Sequence, residues 1–279
     1  MDELRTLIRT TGVELLKFRS KSVTWVTSIV LFLCPIGSEL LLMWLSRRDA
    51  VFPRVYIFLF GDVLIFIAVA TVVVSVMALG NDYELGTIRC ILSRGVSRPQ
   101  FILSKILATF IAALVYGAVY IAGALLSASI VHISVSDIPL FDAVGDDLLW
   151  RVLGAIAVIG IVEFVGSGIV MIALVLWRSS WAGMLAGLGY FFIDLFMGGM
   201  GPADLLGIRK IYRYTIMYNS RGILEKLFPS DPMLSLPRSW SEEGFADPWS
   251  ALAFLLLYGC ALILISIFLF RRQDLKMKE

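Results

Sequence analysis

Histidine is nearly missing from this 279-residue chain, where His132 stands alone. That shortage removes most metal centres and most acid–base chemistry built on imidazole. Cysteine is almost as scarce: Cys34 and Cys260 lie in apolar runs and Cys90 in a basic stretch. They show no CxxC or metal-ligand spacing, so neither a disulfide framework nor a metal site is expected. Charge is the third shortage. Asp, Glu, Lys and Arg make up 16% of the residues, against roughly 25% in a soluble domain. No GxxxxGK[ST] run or other nucleotide-binding pattern is present, so the chain has no phosphate loop of its own. No bound cofactor and no nucleic-acid partner are expected.

Apolar residues fill the space left by these absences. They account for 59% of the chain, and its mean hydropathy is +0.87. The apolar residues gather into six runs, at 23–45, 56–79, 104–131, 150–177, 180–200 and 249–270. About 20 apolar residues cross a bilayer core of ~30 Å as a helix. Trp25, Trp44, Trp150, Trp177, Trp181, Trp249 and Arg271 bracket most of the runs, as interface anchors do. The expectation is an all-α integral membrane protein of six transmembrane helices forming one domain over residues 1–279. The first run begins near Val23 at full membrane length, so it reads as a retained span rather than a cleaved signal.

Residues 1–22 place Leu4, Ile8, Thr11, Leu15 and Phe18 on one side of a helix and Arg5, Arg9, Glu14 and Lys17 on the other. Such a segment is too charged to span and is expected to lie in the headgroup layer. Basic residues set the orientation. Five precede Val23, four fall between Asn81 and Lys105, and Arg271, Arg272, Lys276 and Lys278 follow the last run. By contrast, 132–149 carries four aspartates and no Lys or Arg. Both termini are therefore read as cytoplasmic. Residues 201–248 form a long outer loop before span six, in which Ile208–Tyr218 and Arg221–Phe228 suit short helices.

One polar insertion separates two of the apolar runs: NDYELGTIRCILSRGVSRPQFILSK, Asn81–Lys105. Acids come first (Asp82, Glu84), then Gly86-Thr87, then bases (Arg89, Arg94, Arg98, Lys105), with Ile88, Ile91 and Leu92 at helical spacing. Gly80, Gly86 and Gly95 permit sharp reversals, and Asn81, Asp82 and Thr87 suit helix caps. The expectation is a short amphipathic helix lying flat on the membrane over 81–100. The run Glu84-Leu-Gly86-Thr87-Ile-Arg89, continued by Leu92-Ser93, Val96-Ser97-Arg98 and Lys105, resembles the coupling-helix region of type-2 ATP-binding-cassette (ABC) exporter permeases. Gly95 stands where that family often has Pro. The ending Phe270-Arg271-Arg272-Gln-Asp274-Leu275 is similar to the same family.

The resemblance implies a permease subunit of a prokaryotic-type plasma (inner) membrane exporter. An amphipathic elbow helix would precede span one, a cytoplasmic coupling helix would join spans two and three, and re-entrant helices would close the outer end before span six. It implies two separate ABC ATPase subunits that bind ATP and Mg, and a second permease, either another copy or a sibling. ATPase closure would push on the coupling helix and rotate the spans. Glu84 and Arg89 would be its charged contacts and Gly86 and Thr87 its turn. Ile88, Ile91 and Leu92 would fill an apolar groove on the ATPase, while Arg98 and Lys105 would hold to lipid headgroups.

Four acids fall inside the expected spans: Glu39, Asp62, Glu163 and Asp194. Burying a carboxylate in lipid costs about 2.5–3.5 kcal/mol on insertion scales, so these groups face a cavity or a partner, or are protonated. They are candidates for lining a cavity that accepts a cationic or amphipathic cargo. They also suit a different class, a secondary transporter or channel coupled to protons or cations. An intramembrane protease is disfavoured, because Gly166-Ser167-Gly168 is not the expected serine setting and His132 falls at a span end.

Overall fold

The computed structural model describes residues 2–45, 66–135, 148–199, 212–227 and 247–273. All regular structure there is helical: α1 Asp2–Ser20, α2 Ser22–Leu45, α3 Phe66–Glu84, α4 Ile88–Leu92, α5 Arg98–Val135, α6 Leu148–Trp177, α7 Ser180–Gly199, α8 Ile216–Leu227 and α9 Pro248–Arg272. Among the described residues, α3, α5, α6 and α9 are long and apolar enough to cross a membrane. The pair α1–α2 qualifies as a fifth if it is counted as one span, although it bends by 73° at its joint. Against the six expected, the described helices therefore provide four to five candidate spans. Asp62, the first part of expected span two, most of the outer loop and the Asp274-Leu275 ending lie outside the described residues.

Local chemistry explains where these helices start and stop. At the head of α5, Ser97 and Gln100 form a reciprocal cap: the Ser97 amide donates to Gln100 Oε1 at 3.1 Å and the Gln100 amide donates to Ser97 Oγ at 3.4 Å. Asp247 caps α9 by accepting from the amides of Trp249 and Ser250, with Pro248 as the first helical residue. Trp25 Nε1 donates to the Arg19 carbonyl at 3.0 Å across the α1–α2 bend. Between α6 and α7 only Arg178 and Ser179 intervene. Arg178 takes a positive φ of 53° and its amide donates to the Leu174 carbonyl at 2.8 Å, closing α6 with a left-handed residue that is not glycine.

The core runs along α6, whose apolar window is 78% buried, while that of α9 is 28% buried. α9, α5 and α7 pack around α6, and α2 runs along α5. Small residues permit the close approaches. A side chain at Gly123 on α5 would collide with the backbone carbonyl of Phe32 on α2. On α7, Gly183 meets Leu174, and Gly187 meets Val72 and Val170.

α3 departs from the sequence expectation. Its span does not end at Leu79 with a reversal at Gly80. The helix continues through a π-helical stretch, Val76–Gly80, into Asn81–Glu84, and Gly80 keeps helical angles of φ −59° and ψ −44°. Gly80 is needed for space instead, since a Cβ there would lie 2.5 Å from Ser180 Oγ. Of the two short helices expected at Ile208–Tyr218 and Arg221–Phe228, residues 208–211 lie outside the described residues; the chain turns at 213–215 and α8 then runs across the gap expected between the two.

Candidate functional site

The polar segment after α3 is compact. Leu85, Gly86 and Thr87 turn the chain, with the Leu85 amide donating to the Asn81 carbonyl at 2.9 Å and the Thr87 amide to the Asp82 carbonyl at 3.1 Å. Gly86 holds φ +65° and Gly95, after α4, holds φ +88°. Both angles lie in the left-handed region that glycine enters without a Cβ penalty. The flat helix is only five residues long, Ile88–Leu92. Thr87 precedes it but makes no side-chain cap, because its hydroxyl donates to Asp82 Oδ1 at 2.8 Å.

Glu84, Leu85, Gly86, Arg89 and Cys90 form the exposed edge of this segment. Leu85 is 74% exposed, a large apolar side chain standing between the two charges. Ile88 behaves differently from the sequence expectation. It is buried in the chain's own core, and Ile91 and Leu92 pack against that core. Ile88 is covered by this chain, Ile91 and Leu92 are partly covered, and Leu85 is the most exposed apolar residue of the segment.

Behind the exposed edge lies a group of four charges. Lys105 has no exposed side-chain surface; its Nζ lies 2.7 Å from Glu14 Oε2 and also bonds Asp82 Oδ2. Lys17 Nζ lies 2.7 Å from Glu14 Oε1 and 3.6 Å from Asp82 Oδ1. Two acids and two bases thus balance where α1, α3 and α5 meet. Lys17 keeps 40% of its side chain exposed, so the group is wet on one side and closed on the other. This overturns two expectations. Glu14 does not face water with Arg5 and Arg9, because it shares the buried face of α1 with Thr11 and Phe18. Lys105 does not reach headgroups, because desolvation at its site demands an opposite charge within contact.

A second set of contacts fastens the same segment to the far helices. Tyr83 Oη donates to Gln273 Oε1 at 2.8 Å, and Gln273 Nε2 donates to the Val175 carbonyl at 2.7 Å. One amide side chain, just past the end of α9, therefore joins α3 to the last turn of α6, where helix carbonyls lack intrahelical partners. Arg98 is also occupied within the chain. Its Nη1 donates to the carbonyls of Arg271 at 2.7 Å, Gln273 at 3.0 Å and Phe270 at 3.4 Å. Arg98 Nη1 thus caps α9, with charge-assisted bonds to the negative end of the helix. Phe101 completes the link: its ring lies 5.0 Å from Lys105 Nζ and stacks on Phe270 at 5.5 Å.

Of the candidate acids, the side chains of Glu163 and Asp194 are described, and they share no hydrogen bond. Asp194 is buried, and its Oδ2 accepts from the Met217 amide at 2.9 Å, in the first turn of α8. The neighbouring Ile216 amide donates to Tyr190 Oη at 3.2 Å. That pairing is structural, a carboxylate meeting a helix N-terminus. Glu163, midway along α6, is buried, and neither of its carboxyl oxygens has a hydrogen-bond partner. The structure therefore does not bond it to Asp194. Glu39 sits on α2, but its side chain, like Asp62, lies outside the described residues.

Sequence reasoning missed Glu14, Lys17, Tyr83, Leu85 and Gln273. A signal for Glu14 existed: it lies three residues after Thr11 and four before Phe18, the spacing of one helix face. Lys105, flanked by Phe101, Ile102 and Ile106, called for acidic partners for the same reason. Nothing in the local sequence marks Gln273, whose side-chain bonds are both long-range.

With this geometry in view, comparison with known families gives one result. A family model described as ABC-2 family transporter protein matches residues 11–194, well over half of the chain and inclusive of Glu14, Asp82, the exposed edge and Lys105. Among curated proteins no match is found.

Proposed function

The chain belongs to the ABC-2 family of transporter membrane proteins, and from that premise we propose that it is the permease subunit of an exporter driven by separate ATPase subunits. The observation that carries this reading is the exposed edge Glu84-Leu85-Gly86, with Arg89, on a segment fastened behind to α1, α5, α6 and α9. An apolar side chain between opposite charges suits docking, and the contacts behind it suit transmission of force. Two ATPases would each press on one such edge, with a second permease, either another copy or a sibling, completing the assembly. α7 would serve as a further span to make six with α2, α3, α5, α6 and α9. α1 would act as an elbow helix in the cytoplasmic headgroup layer, and both termini would lie inside. Residues 201–248 would close the outer end through short re-entrant helices.

Co-expression with candidate ATPase subunits tests this reading. The native chain should retain an ATPase through purification and stimulate its ATP hydrolysis. Glu84→Arg combined with Arg89→Glu should release it while the chain stays folded. Retention of the ATPase by the reversed chain would remove the docking assignment.

Glu163 supports a second reading, ion-coupled secondary transport. A carboxyl buried among apolar helices with both oxygens unpartnered is costly unless it exchanges a proton or meets a cation. Glu163→Gln should then abolish cation- or proton-driven uptake in vesicles, with no requirement for ATP. On the exporter reading, the same variant leaves ATP-driven transport dependent on the ATPase.

A further inference from the structure

Of α3, α5, α6 and α9, α9 is the least enclosed, and its exposed side is not uniform. Near its end, Leu264, Ile265, Ile267 and Phe268 present an open face of α9, beside a space of about 770 Å³, that finishes at Arg271 and Arg272. The spacing 264, 268, 271 and 265, 268, 272 sets these residues on one strip of the helix. Arg272 is held at the rim, its guanidinium carbon 4.2 Å from the centre of the Phe268 ring. Neither arginine is needed to cap α9, because Arg98 already serves the carbonyls of Phe270, Arg271 and Gln273. Among the described residues, neither forms an ion pair with a carboxylate.

We propose that this face of α9 binds one anionic phospholipid, with an acyl chain along Leu264, Ile265 and Phe268 and the phosphate between Arg271 and Arg272. Charge and shape together select the occupant. The apolar strip needs a chain, and the two guanidiniums need an anion with several acceptor oxygens. A second copy of this chain fits less well. A two-fold contact through this face would bring four guanidiniums together, since the same patch meets itself. The site ends one residue before Gln273, so an anionic lipid here sits beside the contact that joins α9 to Tyr83 and Val175. The proposal stands whether or not an ATPase drives the chain.

Lipid retention by the purified full-length chain tests it, read by native mass spectrometry after adding equal phosphatidylglycerol and phosphatidylcholine. The native chain should keep phosphatidylglycerol in preference. Arg271→Gln and Arg272→Gln should each cut that preference about fivefold, the effect of one basic residue near an anionic surface. The Arg→Lys pair should keep most of the preference, which separates charge from misfolding. Leu264→Trp, which fills the strip, should lower retention of both lipids. Arg5→Gln with Arg9→Gln on α1 should change nothing. Equal retention of the two lipids by the native chain would overturn the proposal. So would unchanged retention in the double Arg→Gln variant, an equal loss in the α1 variant, displacement by inorganic phosphate alone, or closure of the face by a second copy.

Discussion

Lys105 on α5 and Glu14 on α1 meet at 2.7 Å in a setting where the lysine has no exposed side-chain surface. Asp82 at the end of α3 bonds the same ammonium, and Lys17 balances the two acids from the wet side. The segment that follows α3 is thus tied through one ammonium to the first helix and to the helix that begins beyond it.

Lys105→Met leaves Glu14 and Asp82 facing each other with only Lys17 between them. The expected loss of stability is about 3–5 kcal/mol, the usual result of stranding buried charges. Adding Asp82→Asn restores balance, since Glu14 and Lys17 remain as a pair, so the double variant should recover much of the loss. Unfolding in detergent, followed for both single variants and the double, measures this. Additive losses would mean that the four charges do not act as one group.

Gln273→Leu removes an acceptor from Tyr83 and a donor from Val175 in one step. The cost should be about 1–3 kcal/mol for the groups left unmatched, but the location of the effect is more informative. Amide exchange should quicken in Tyr83–Leu92 and in the last turn of α6 together, while the α1 amides near Glu14 stay protected. Gln273→Glu keeps the acceptor for Tyr83 and loses the donor, so it should loosen the α6 end more than α3.

Gly123→Ala puts a methyl group against the Phe32 carbonyl, which is backbone and cannot rotate away. α2 and α5 must separate, at a cost of about 1–3 kcal/mol typical of overpacking. Gly189→Ala on α7 is the matched control, because nothing lies within 4 Å of a Cβ there. Thermal unfolding of the two variants side by side should show a clear loss for the first and none for the second.

Much of the architecture was legible in the sequence because lipid imposes simple rules. Apolar runs of membrane length are visible without any contact information, and α6 and α9 begin within two residues of where those runs predict, while α5 begins six residues earlier at Arg98. Gly86 and Gly95 were legible as turns because a left-handed φ favours glycine. Gly80 was misread for an instructive reason. Glycine serves both reversal and close packing, and only the presence of Ser180 opposite it tells which applies. The site was half legible. Glu84 and Arg89 are exposed as their charge suggests. Ile88, read as a partner contact, is covered by the chain's own helices, and Leu85 stands out in its place. Arg98 and Lys105 are basic residues at a span end, which composition assigns to headgroups. Their partners are the Arg271 carbonyl, Glu14 and Asp82, set far from them in sequence and therefore invisible to local pattern.

The proposed exporter function rests on the edge formed by Glu84, Leu85 and Arg89 receiving the ATPase. Its most direct test is the affinity of a purified ATPase subunit for the chain in lipid nanodiscs, native against Leu85→Asp. Leu85 is exposed and makes no core contact, so the substitution should leave folding intact. The predicted result is a loss of at least about tenfold in affinity, as expected for a central apolar contact in an interface, with thermal stability unchanged. Undiminished binding by the Leu85→Asp chain would contradict the claim and place the ATPase contact elsewhere.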